Sequence, residues 1–202
     1  MFKKQMILLL SLIIILIFIV VQYPENIVDQ FISTKFSQQD NSLLYRVSYY
    51  LTFLGSRNII IPLTLISGVI FYYHFKRIFP SLILAGGTLV AFTLNELIKS
   101  IIQRQRPSLL IDVHATGFSF PSGHAMISCV CYGLLCYYLI QFPFNSMTKK
   151  VIVIVSVGLI AIIGLTRMIL NVHYFTDIIG GYLIGGLFFL MILNFVKLQK
   201  SV

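Results

Sequence analysis

The sequence has few charged residues, which make up only 10% of its 202 positions. A soluble domain would carry about 25% charged residues, whereas this chain is 58% hydrophobic with a mean hydropathy of +0.93. The composition therefore argues against a soluble globular protein and makes the bilayer the expected solvent for much of the chain. The length suits one domain, so residues 1–202 are interpreted as a single membrane-embedded unit.

Basic residues form no stripe, although the formal net charge is +9. They occur singly or in pairs, without the interleaved aromatics of a nucleic-acid-binding surface, so anionic lipid head groups or an anionic substrate are the expected partners. Cysteine is also scarce, and all three cysteines share one apolar segment, at positions 129, 131 and 136. An odd, clustered set predicts neither a disulfide framework nor a metal site, so we interpret them as small buried side chains.

Six apolar runs are long enough to cross a bilayer as α-helices, which takes about 20 residues each. The first follows Lys3 and Lys4 and lacks an A-x-A cleavage site, so it is interpreted as an uncleaved span rather than a signal peptide. The predicted fold is an all-α polytopic membrane protein with six transmembrane helices, at residues 6–21, 58–74, 79–98, 122–142, 150–170 and 177–196.

Acidic residues are missing from one side of this predicted topology. With the N-terminus placed in the cytoplasm, all six Asp and Glu residues fall on the outer side. Eight basic residues fall inside and seven outside, a slight bias in the direction of the positive-inside rule. We therefore expect cytoplasmic N- and C-termini and an outer face whose basic residues serve a function.

The segment between the first two spans, residues 24–57, has intermediate polarity. Leu43, Val47, Tyr50 and Leu54 recur at helical spacing, which predicts short interfacial helices on the outer surface. These helices could frame an entry path for a lipid or could serve only for packing, and the sequence leaves both interpretations open.

Polar residues that are costly inside a membrane collect at the outer ends of spans three to six, and such residues are functional candidates. Lys99, Arg106 and Arg167 could neutralise a multiply charged anion, since the arginine fork matches phosphate oxygens. Ser122 and Gly123 stand at a predicted helix start, where free backbone N–H groups attract anions. Gly123 allows close backbone approach, and Ser122 can cap the helix or bond a phosphate oxygen. Together they predict a phosphate cradle.

Two histidines accompany this cradle. His173 and Asp177 are four positions apart, so on a helical turn they share a face, and the carboxylate would fix the imidazole tautomer. His124 lies beside the cradle and could act as a general acid or base. A nucleophile, an orienting carboxylate, an acid and several cations are the parts that phosphoryl transfer requires.

Four further features carry smaller predictions. Glu96 and Lys99 are three apart and are predicted to pair, whereas Arg104 is assigned only to contact with lipid phosphate. Glycines at positions 181 and 185 form a G-x-x-x-G pattern, which predicts close helix packing. Two polar residues of the outer loop are predicted to be solvated, Asp112 and His114.

Three motifs occur in order: K-x6-RP at 99–107, PSGH at 121–124 and [ST]-R-x5-H-x3-D at 166–177. Their order and spacing resemble the type-2 phosphatidic acid phosphatase superfamily, integral-membrane lipid phosphatases that share a site with vanadium haloperoxidases and glucose-6-phosphatase. The six-span layout extends the likeness over most of the chain. Thr166 stands where serine is common and Phe175 where proline is frequent, and neither departure removes a reacting group.

The resemblance implies a role for each matched residue. His173 would be the nucleophile that forms a phosphohistidine, oriented by Asp177, and His124 would protonate the leaving oxygen and then activate water. The remaining matched residues would hold the phosphate, namely Lys99, Arg106, Ser122, Gly123 and Arg167. The resemblance implies no metal and no cofactor.

The motifs leave the lipid open. Small bacterial relatives resemble either phosphatidylglycerophosphate phosphatases or undecaprenyl-diphosphate phosphatases, and the latter often carry Asp where Gly123 stands, which favours phosphatidylglycerophosphate. A broad lipid (pyro)phosphatase and a phosphotransferase would use the same site. A lipid transporter is an alternative of a different class, because it could bind head groups with the same cations. It would not require His124, His173 and Asp177 together.

Overall fold

The computed structural model describes residues 2–37, 42–107 and 117–200, so Asp112 and His114 lie outside the described residues. Within these ranges the chain forms helices and no strands, which confirms the all-α prediction. A 3₁₀ turn at Thr52–Gly55 separates the third and fourth helices. The α-helices of the described residues are α1 (Phe2–Gln22), α2 (Ile27–Ser37), α3 (Leu43–Leu51), α4 (Arg57–Phe75), α5 (Phe79–Ile102), α6 (Gly123–Leu139), α7 (Ser146–Ile169) and α8 (Phe175–Lys200).

Five of these helices are long and apolar enough to span a membrane: α1, α4, α5, α7 and α8. By contrast, α6 has 17 residues, and at a rise of 1.5 Å each its length is about 26 Å, short of a hydrocarbon core of about 30 Å. It ends at Leu139 rather than at residue 142, because the chain turns ahead of Pro143, which cannot continue a helix. Length and composition therefore identify five candidate spans in the described residues, as a polytopic membrane protein requires.

Other predicted span ends differ from the observed helix ends by up to four residues, with local causes. Helix α7 begins at Ser146 rather than at residue 150, because Asn145 caps it by accepting a hydrogen bond from the Thr148 backbone N–H at 2.8 Å. Helix α5 continues past residue 98 to Ile102 and stops where Gln103 adopts a left-handed backbone with φ of 52°.

Helix α6 is the centre of the bundle and packs against α4, α5, α7 and α8. Ten of its residues are buried, and Leu134 joins a core cluster with Leu84 of α5 and Ile163 of α7. Helix α1 packs on α8 through a second cluster that contains Ile13 and Val20. The three cysteines of α6 are free thiols, and Cys131 is buried as predicted, whereas Cys129 and Cys136 are partly exposed. Many large apolar side chains on the other helices are exposed, as lipid-facing surfaces require.

Helices α6 and α8 approach each other closely where α8 carries glycine. A Cβ atom added at Gly181 would lie 2.7 Å from the Ser122 carbonyl oxygen, and one at Gly185 would lie 2.7 Å from the Met126 carbonyl oxygen. Real Cβ atoms essentially never come so near another heavy atom. The predicted G-x-x-x-G packing is therefore confirmed, and it fixes the start of α6 against the first turns of α8.

The segment between the first two long helices contains two short helices, as predicted. Helix α2 packs against α7 and α8, and α3 packs against α7. Ser42 caps α3 by accepting a hydrogen bond from the Tyr45 backbone N–H at 3.1 Å. On α2, Ile27 and Phe31 are exposed while Asp29 is fully buried. One face of α2 therefore serves packing, and it brings a carboxylate into the interior.

Candidate active site

A polar cavity of about 630 Å³ lies at the end of the bundle where α5 and α7 end and α6 and α8 begin. Six of the eight site residues predicted from the motifs line it: Lys99, Arg106, Gly123, His124, Arg167 and His173. The other two, Ser122 and Asp177, are fully buried. Both lie next to this lining, because Ser122 precedes Gly123 in the chain and Asp177 contacts His173. Three segments that are distant in sequence thus meet around one cavity.

His173 lies in the tight connection between α7 and α8 and is 3% exposed. The prediction placed His173 and Asp177 on one helical face, but α8 begins only at Phe175, so their contact has another origin. Asp177 Oδ2 accepts a hydrogen bond from the Tyr174 backbone N–H at 2.8 Å and lies 3.5 Å from His173 Nδ1. The carboxylate therefore reaches back over the first turn of α8 and meets the imidazole there.

The contacts of the imidazole define its tautomer. Arg106 Nη1 lies 3.1 Å from His173 Nε2, and because a guanidinium can only donate, Nε2 is the acceptor. The proton is then on Nδ1, which faces Asp177 and lies 3.4 Å from the Ser119 hydroxyl. Burial lowers the pKa of His173 to about 3, against the opposing effect of the Asp177 hydrogen bond. The ring is therefore neutral at physiological pH.

Two arginines bring positive charge to the cavity from different segments. Arg106 is held by backbone carbonyls, with Nε donating to Gly117 at 2.9 Å and Nη1 to Val172 at 2.7 Å. Burial of the charged group lowers the pKa of Arg106 from its ordinary value. Arg167 is 5% exposed and donates to Thr52 Oγ1 at 2.8 Å, while its Nε has no partner within the part of the chain that the structure describes. An anion in the cavity would be a suitable acceptor.

The third cation, Lys99, forms the predicted pair with Glu96, at 3.8 Å between Nζ and Oε1. Glu96 also pairs with Arg57 at 3.3 Å, and its side chain is 58% exposed. This carboxylate is solvated at the rim and shared between two cations, so it neutralises the Lys99 charge only in part.

The start of α6 differs from the predicted cradle. Among the described residues the Ser122 hydroxyl has no hydrogen-bond partner, so it does not cap the helix, and its backbone N–H donates to the Asp177 carbonyl oxygen at 3.0 Å. Asn95 Nδ2 donates to the Pro121 carbonyl oxygen at 3.2 Å, and a Cβ at position 123 would lie 2.9 Å from Asn95 Oδ1. Gly123 therefore lets α5 brace the turn before α6, and the backbone N–H of Ser122 is not available to an anion.

The predicted contact of Arg104 with lipid phosphate is wrong, because its side chain is 1% exposed inside the protein. It donates to Asp177 Oδ1 at 2.6 Å and to Asp29 Oδ2 at 2.7 Å. The Ser119 hydroxyl, a second residue that sequence reasoning missed, donates a short hydrogen bond to Asp177 Oδ2. Arg104 stands two positions before a motif arginine, which is a weak signal, and Asp29 has no local signal at all.

The fold and the cavity define a helical membrane protein with a histidine-containing site suited to an anion. Residues 80–201 match the PAP2 superfamily, and the chain belongs to this superfamily. The resemblance drawn from the three motifs is thereby confirmed, and with it the class of membrane lipid phosphatases.

Individual relatives agree with this class. The chain is 35% identical over 147 residues to phosphatidylglycerophosphatase B of Bacillus subtilis (strain 168), covering 72% of this chain and 71% of the relative. It is 25% identical over 155 residues to dolichyldiphosphatase of Saccharomyces cerevisiae, covering 73% of this chain and 65% of the relative.

Solved structures show the same architecture. The crystal structure of a transmembrane PAP2-type phosphatidylglycerolphosphate phosphatase from Bacillus subtilis superposes with a TM-score of 0.88 and 29% identity, over 95% of this chain and 96% of that one. LpxE of Aquifex aeolicus superposes with a TM-score of 0.63 and 20% identity, over 84% and 97%, which shows the shared fold alone.

Proposed function

We propose that the protein hydrolyses the phosphate monoester of phosphatidylglycerophosphate to give phosphatidylglycerol, through a phosphohistidine intermediate. The observation that carries the proposal is the placement of His173, whose Nδ1 faces Asp177 and whose Nε2 faces Arg106. His124 and Arg167 line the same cavity. A neutral imidazole between a carboxylate and a set of cations is suited to attack a phosphorus atom that those cations hold.

The proposed reaction has two displacements. In the first, His173 Nε2 attacks phosphorus, the bond to the lipid oxygen breaks, and His124 gives a proton to that oxygen. In the second, His124 takes a proton from water, the water oxygen attacks phosphorus, the bond between phosphorus and His173 Nε2 breaks, and inorganic phosphate leaves. Phosphate oxygens would be held throughout by Lys99, Arg106, Ser122, Gly123 and Arg167. Fixed side-chain cations can stabilise the transferring group, so the proposal includes no metal and no cofactor.

The choice of lipid rests on two observations. The Bacillus relative named phosphatidylglycerophosphatase B covers 72% of the chain at 35% identity, and position 123 is glycine rather than aspartate. A second candidate is a polyprenyl-diphosphate phosphatase or a broad lipid (pyro)phosphatase, which the match to a dolichyldiphosphatase favours at 25% identity.

An apolar cavity supports a lipid substrate. It has a volume of about 620 Å³, lies between α4 and α5, and shares Arg57, Phe92 and Glu96 with the polar cavity. Its lining includes Leu65 and Leu89, which are also exposed on the outer surface of the bundle. We assign this cavity to an acyl chain that stays in the bilayer while the head group enters the polar cavity.

We also propose that α6 is a sixth span in a single domain of residues 1–202, with both termini cytoplasmic and the site at the outer face. Helix α6 is enclosed by four long helices, so protein covers much of its surface. The bundle end opposite the cavity carries Lys76 and Lys149, which the positive-inside rule places in the cytoplasm. In intact cells, a membrane-impermeant thiol reagent should label Lys35→Cys and not Lys149→Cys.

The test of function is phosphate release by the purified protein from phosphatidylglycerophosphate, undecaprenyl diphosphate and phosphatidate, each with and without EDTA. We expect the highest kcat/KM with phosphatidylglycerophosphate and no effect of EDTA. His173→Gln should abolish turnover. His74→Gln is the matched control, because His74 stacks on Phe142 at the opposite end of the bundle with ring centroids 3.6 Å apart. EDTA-sensitive turnover would contradict the metal-free mechanism.

Other outcomes identify the remaining functions. Rapid quenching with labelled substrate should trap an acid-labile phosphoryl group that is absent from His173→Gln, and turnover by that variant would refute the nucleophile. Lipid binding without phosphate release would indicate a transporter. Transfer of the phosphoryl group to an added lipid alcohol in preference to water would indicate a phosphotransferase.

A further inference from the structure

A buried ionic network lies behind the histidine, and it joins the motif residue Asp177 to Arg104 and Asp29, which the three motifs do not specify. Arg104 and Asp29 have side-chain exposures of 1% and 0%, and Asp177 has 0%. Arg104 Nη2 donates to Asp29 Oδ2 at 2.7 Å and also to the Pro24 carbonyl oxygen at 2.6 Å. Its Nη1 donates to Asp177 Oδ1 at 2.6 Å and to Thr176 Oγ1 at 2.7 Å. One guanidinium therefore bridges two carboxylates from α2 and α8.

Asp29 is tied to α8 a second time. Its Oδ1 accepts a hydrogen bond from the Thr176 backbone N–H at 3.0 Å, and its Oδ2 accepts from the Thr176 hydroxyl. Asn26 Nδ2 donates to Asp29 Oδ2 at 2.6 Å. The carboxylate therefore holds both Arg104 and the residue that precedes Asp177, which fixes the first turn of α8 from outside the cavity.

The two oxygens of Asp177 face different partners. Oδ1 is bound by Arg104, whereas Oδ2 receives the Tyr174 N–H and the Ser119 hydroxyl and lies 3.5 Å from His173 Nδ1. A carboxylate without the Arg104 bond would be held through Oδ2 only, by the Tyr174 N–H and the Ser119 hydroxyl. With that bond both oxygens are fixed, and the carboxylate supports the Nδ1 proton that the Arg106 contact at Nε2 also favours.

We propose that Asp29 and Arg104 are positioning residues that lock the Asp177 carboxylate and thereby keep the His173 proton on Nδ1. The proposal rests on the proposed function for its effect on catalysis, but the state of the imidazole is independent of activity. Neither residue lines the polar cavity, so both act through Asp177.

The first measurement is ¹⁵N NMR of histidine-labelled protein, with the His173 signals assigned by their loss in His173→Gln. The wild type should show a neutral ring protonated at Nδ1. In Asp29→Asn, the shape of the side chain is kept but Arg104 loses one counter-charge, so its full charge acts on Asp177 and weakens that carboxylate as an acceptor. We expect a measurable population of the Nε2-protonated tautomer. Arg104→Lys should show more, because an ammonium lacks the fork that joins both carboxylates.

The second measurement is kinetic. Asp29→Asn should lower kcat by about 10- to 100-fold, the range found when an outer partner that orients a metal-ligating side chain is removed. KM should change by less than about twofold, because neither residue contacts the substrate. Asn145→Ala is the control for stability, because it removes the cap of α7 at the opposite end of the bundle. It should lower the Tm while leaving both the tautomer and kcat unchanged.

The outcomes separate the two proposals. An unchanged His173 tautomer in both Asp29→Asn and Arg104→Lys would overturn the positioning role, whatever the activity. A fall in kcat no larger than that of an equally destabilised Asn145→Ala would do the same. A wild type that releases no phosphate, together with a tautomer shift in the variants, would refute the proposed function and leave the positioning role supported.

Discussion

The contact between α6 and α8 gives a prediction that compares neighbouring glycines on one helix. Alanine at Gly185 would place its Cβ 2.7 Å from the Met126 carbonyl oxygen and 3.1 Å from the Cys129 Cβ, whereas alanine at Gly186 meets nothing within 4 Å among the described residues. Both changes gain the same helix propensity, about 0.5–1 kcal/mol. The difference between Gly185→Ala and Gly186→Ala therefore isolates the cost of the helix contact.

The size of that cost follows from the geometry. Ordinary contact begins near 3.4 Å, so α6 and α8 must separate by about 0.7 Å at Gly185. The obstructing atom belongs to the backbone of a helix and cannot rotate away. Overpacking of this kind costs about 1–3 kcal/mol, and a difference of about 2 kcal/mol corresponds to about 4–8 °C in Tm for a chain of this length.

The assay is thermal unfolding of purified variants in one detergent, followed by phosphate release at a temperature where all of them are folded. Gly186→Ala should have a Tm equal to or above that of the wild type, and Gly185→Ala should have a lower one. Gly181→Ala, whose Cβ would press on the Ser122 carbonyl oxygen at 2.7 Å, should also lose activity because it displaces the start of α6. Equal Tm values for the Gly185 and Gly186 variants would refute the inferred contact.

Three further predictions concern the site and the lipid path. Burial lowers the pKa of His173 from 6.5 to about 3. Between these pH values the unfolded chain binds a proton on His173 and the folded protein does not. The contribution of His173 to the free energy of unfolding should therefore be complete above pH 6.5 and fall by about 2 kcal/mol at pH 5. His173→Gln should flatten the dependence of Tm on pH. An equal dependence in the variant and the wild type would contradict the burial argument. Ser122→Ala removes a buried hydroxyl that has no partner in the described residues, so Tm should stay the same or rise. The value of kcat/KM should fall at least about tenfold, because a hydrogen bond to phosphate is lost. A lower Tm with unchanged kcat/KM would indicate a structural hydroxyl instead. Leu89→Trp fills the apolar cavity and should slow turnover of long-chain lipids but not of a short-chain analogue. Leu82→Trp is the control, because Leu82 is exposed on the same helix, and it should affect neither substrate. Equal inhibition by Leu89→Trp with both chain lengths would argue against an acyl-chain site.

The clustering of the motif residues could be anticipated because they stand at helix ends on one side. The connections between α4 and α5 and between α6 and α7 are short, so the antiparallel helices return their other ends to the same region. Lys99 and Arg167 near two C-terminal ends and His124 at one N-terminal end must then lie near one another. That deduction needs only span order and residue number, which a sequence contains.

The buried contacts behind His173 could not be anticipated in this way. Asp29 and Arg104 are 75 positions apart, and their contact depends on how α2 packs against α8. An arginine just beyond a span is ordinarily solvated, so the local sequence around Arg104 predicts an exposed side chain rather than a buried one. Ser122 illustrates a similar conflict, because its residue type favours capping while tertiary structure directs its backbone N–H to the Asp177 carbonyl oxygen. Long-range pairing and turn geometry override local preference at these positions.

Charges of opposite sign are arranged on the two sides of the His173 ring. The carboxylate of Asp177 faces Nδ1 at 3.5 Å, and the guanidinium of Arg106 faces Nε2 at 3.1 Å. A phosphate in the cavity would repel a buried carboxylate so close behind the ring, because two like charges in a poorly solvated interior interact strongly. Arg104, which it shares with Asp29, offsets part of that charge from the far side, at 2.6 Å, without entering the cavity. A site of this design therefore needs cations on both sides of Asp177. The cations of the cavity would hold the anion, and Arg104 would let the carboxylate of Asp177 remain charged beside it.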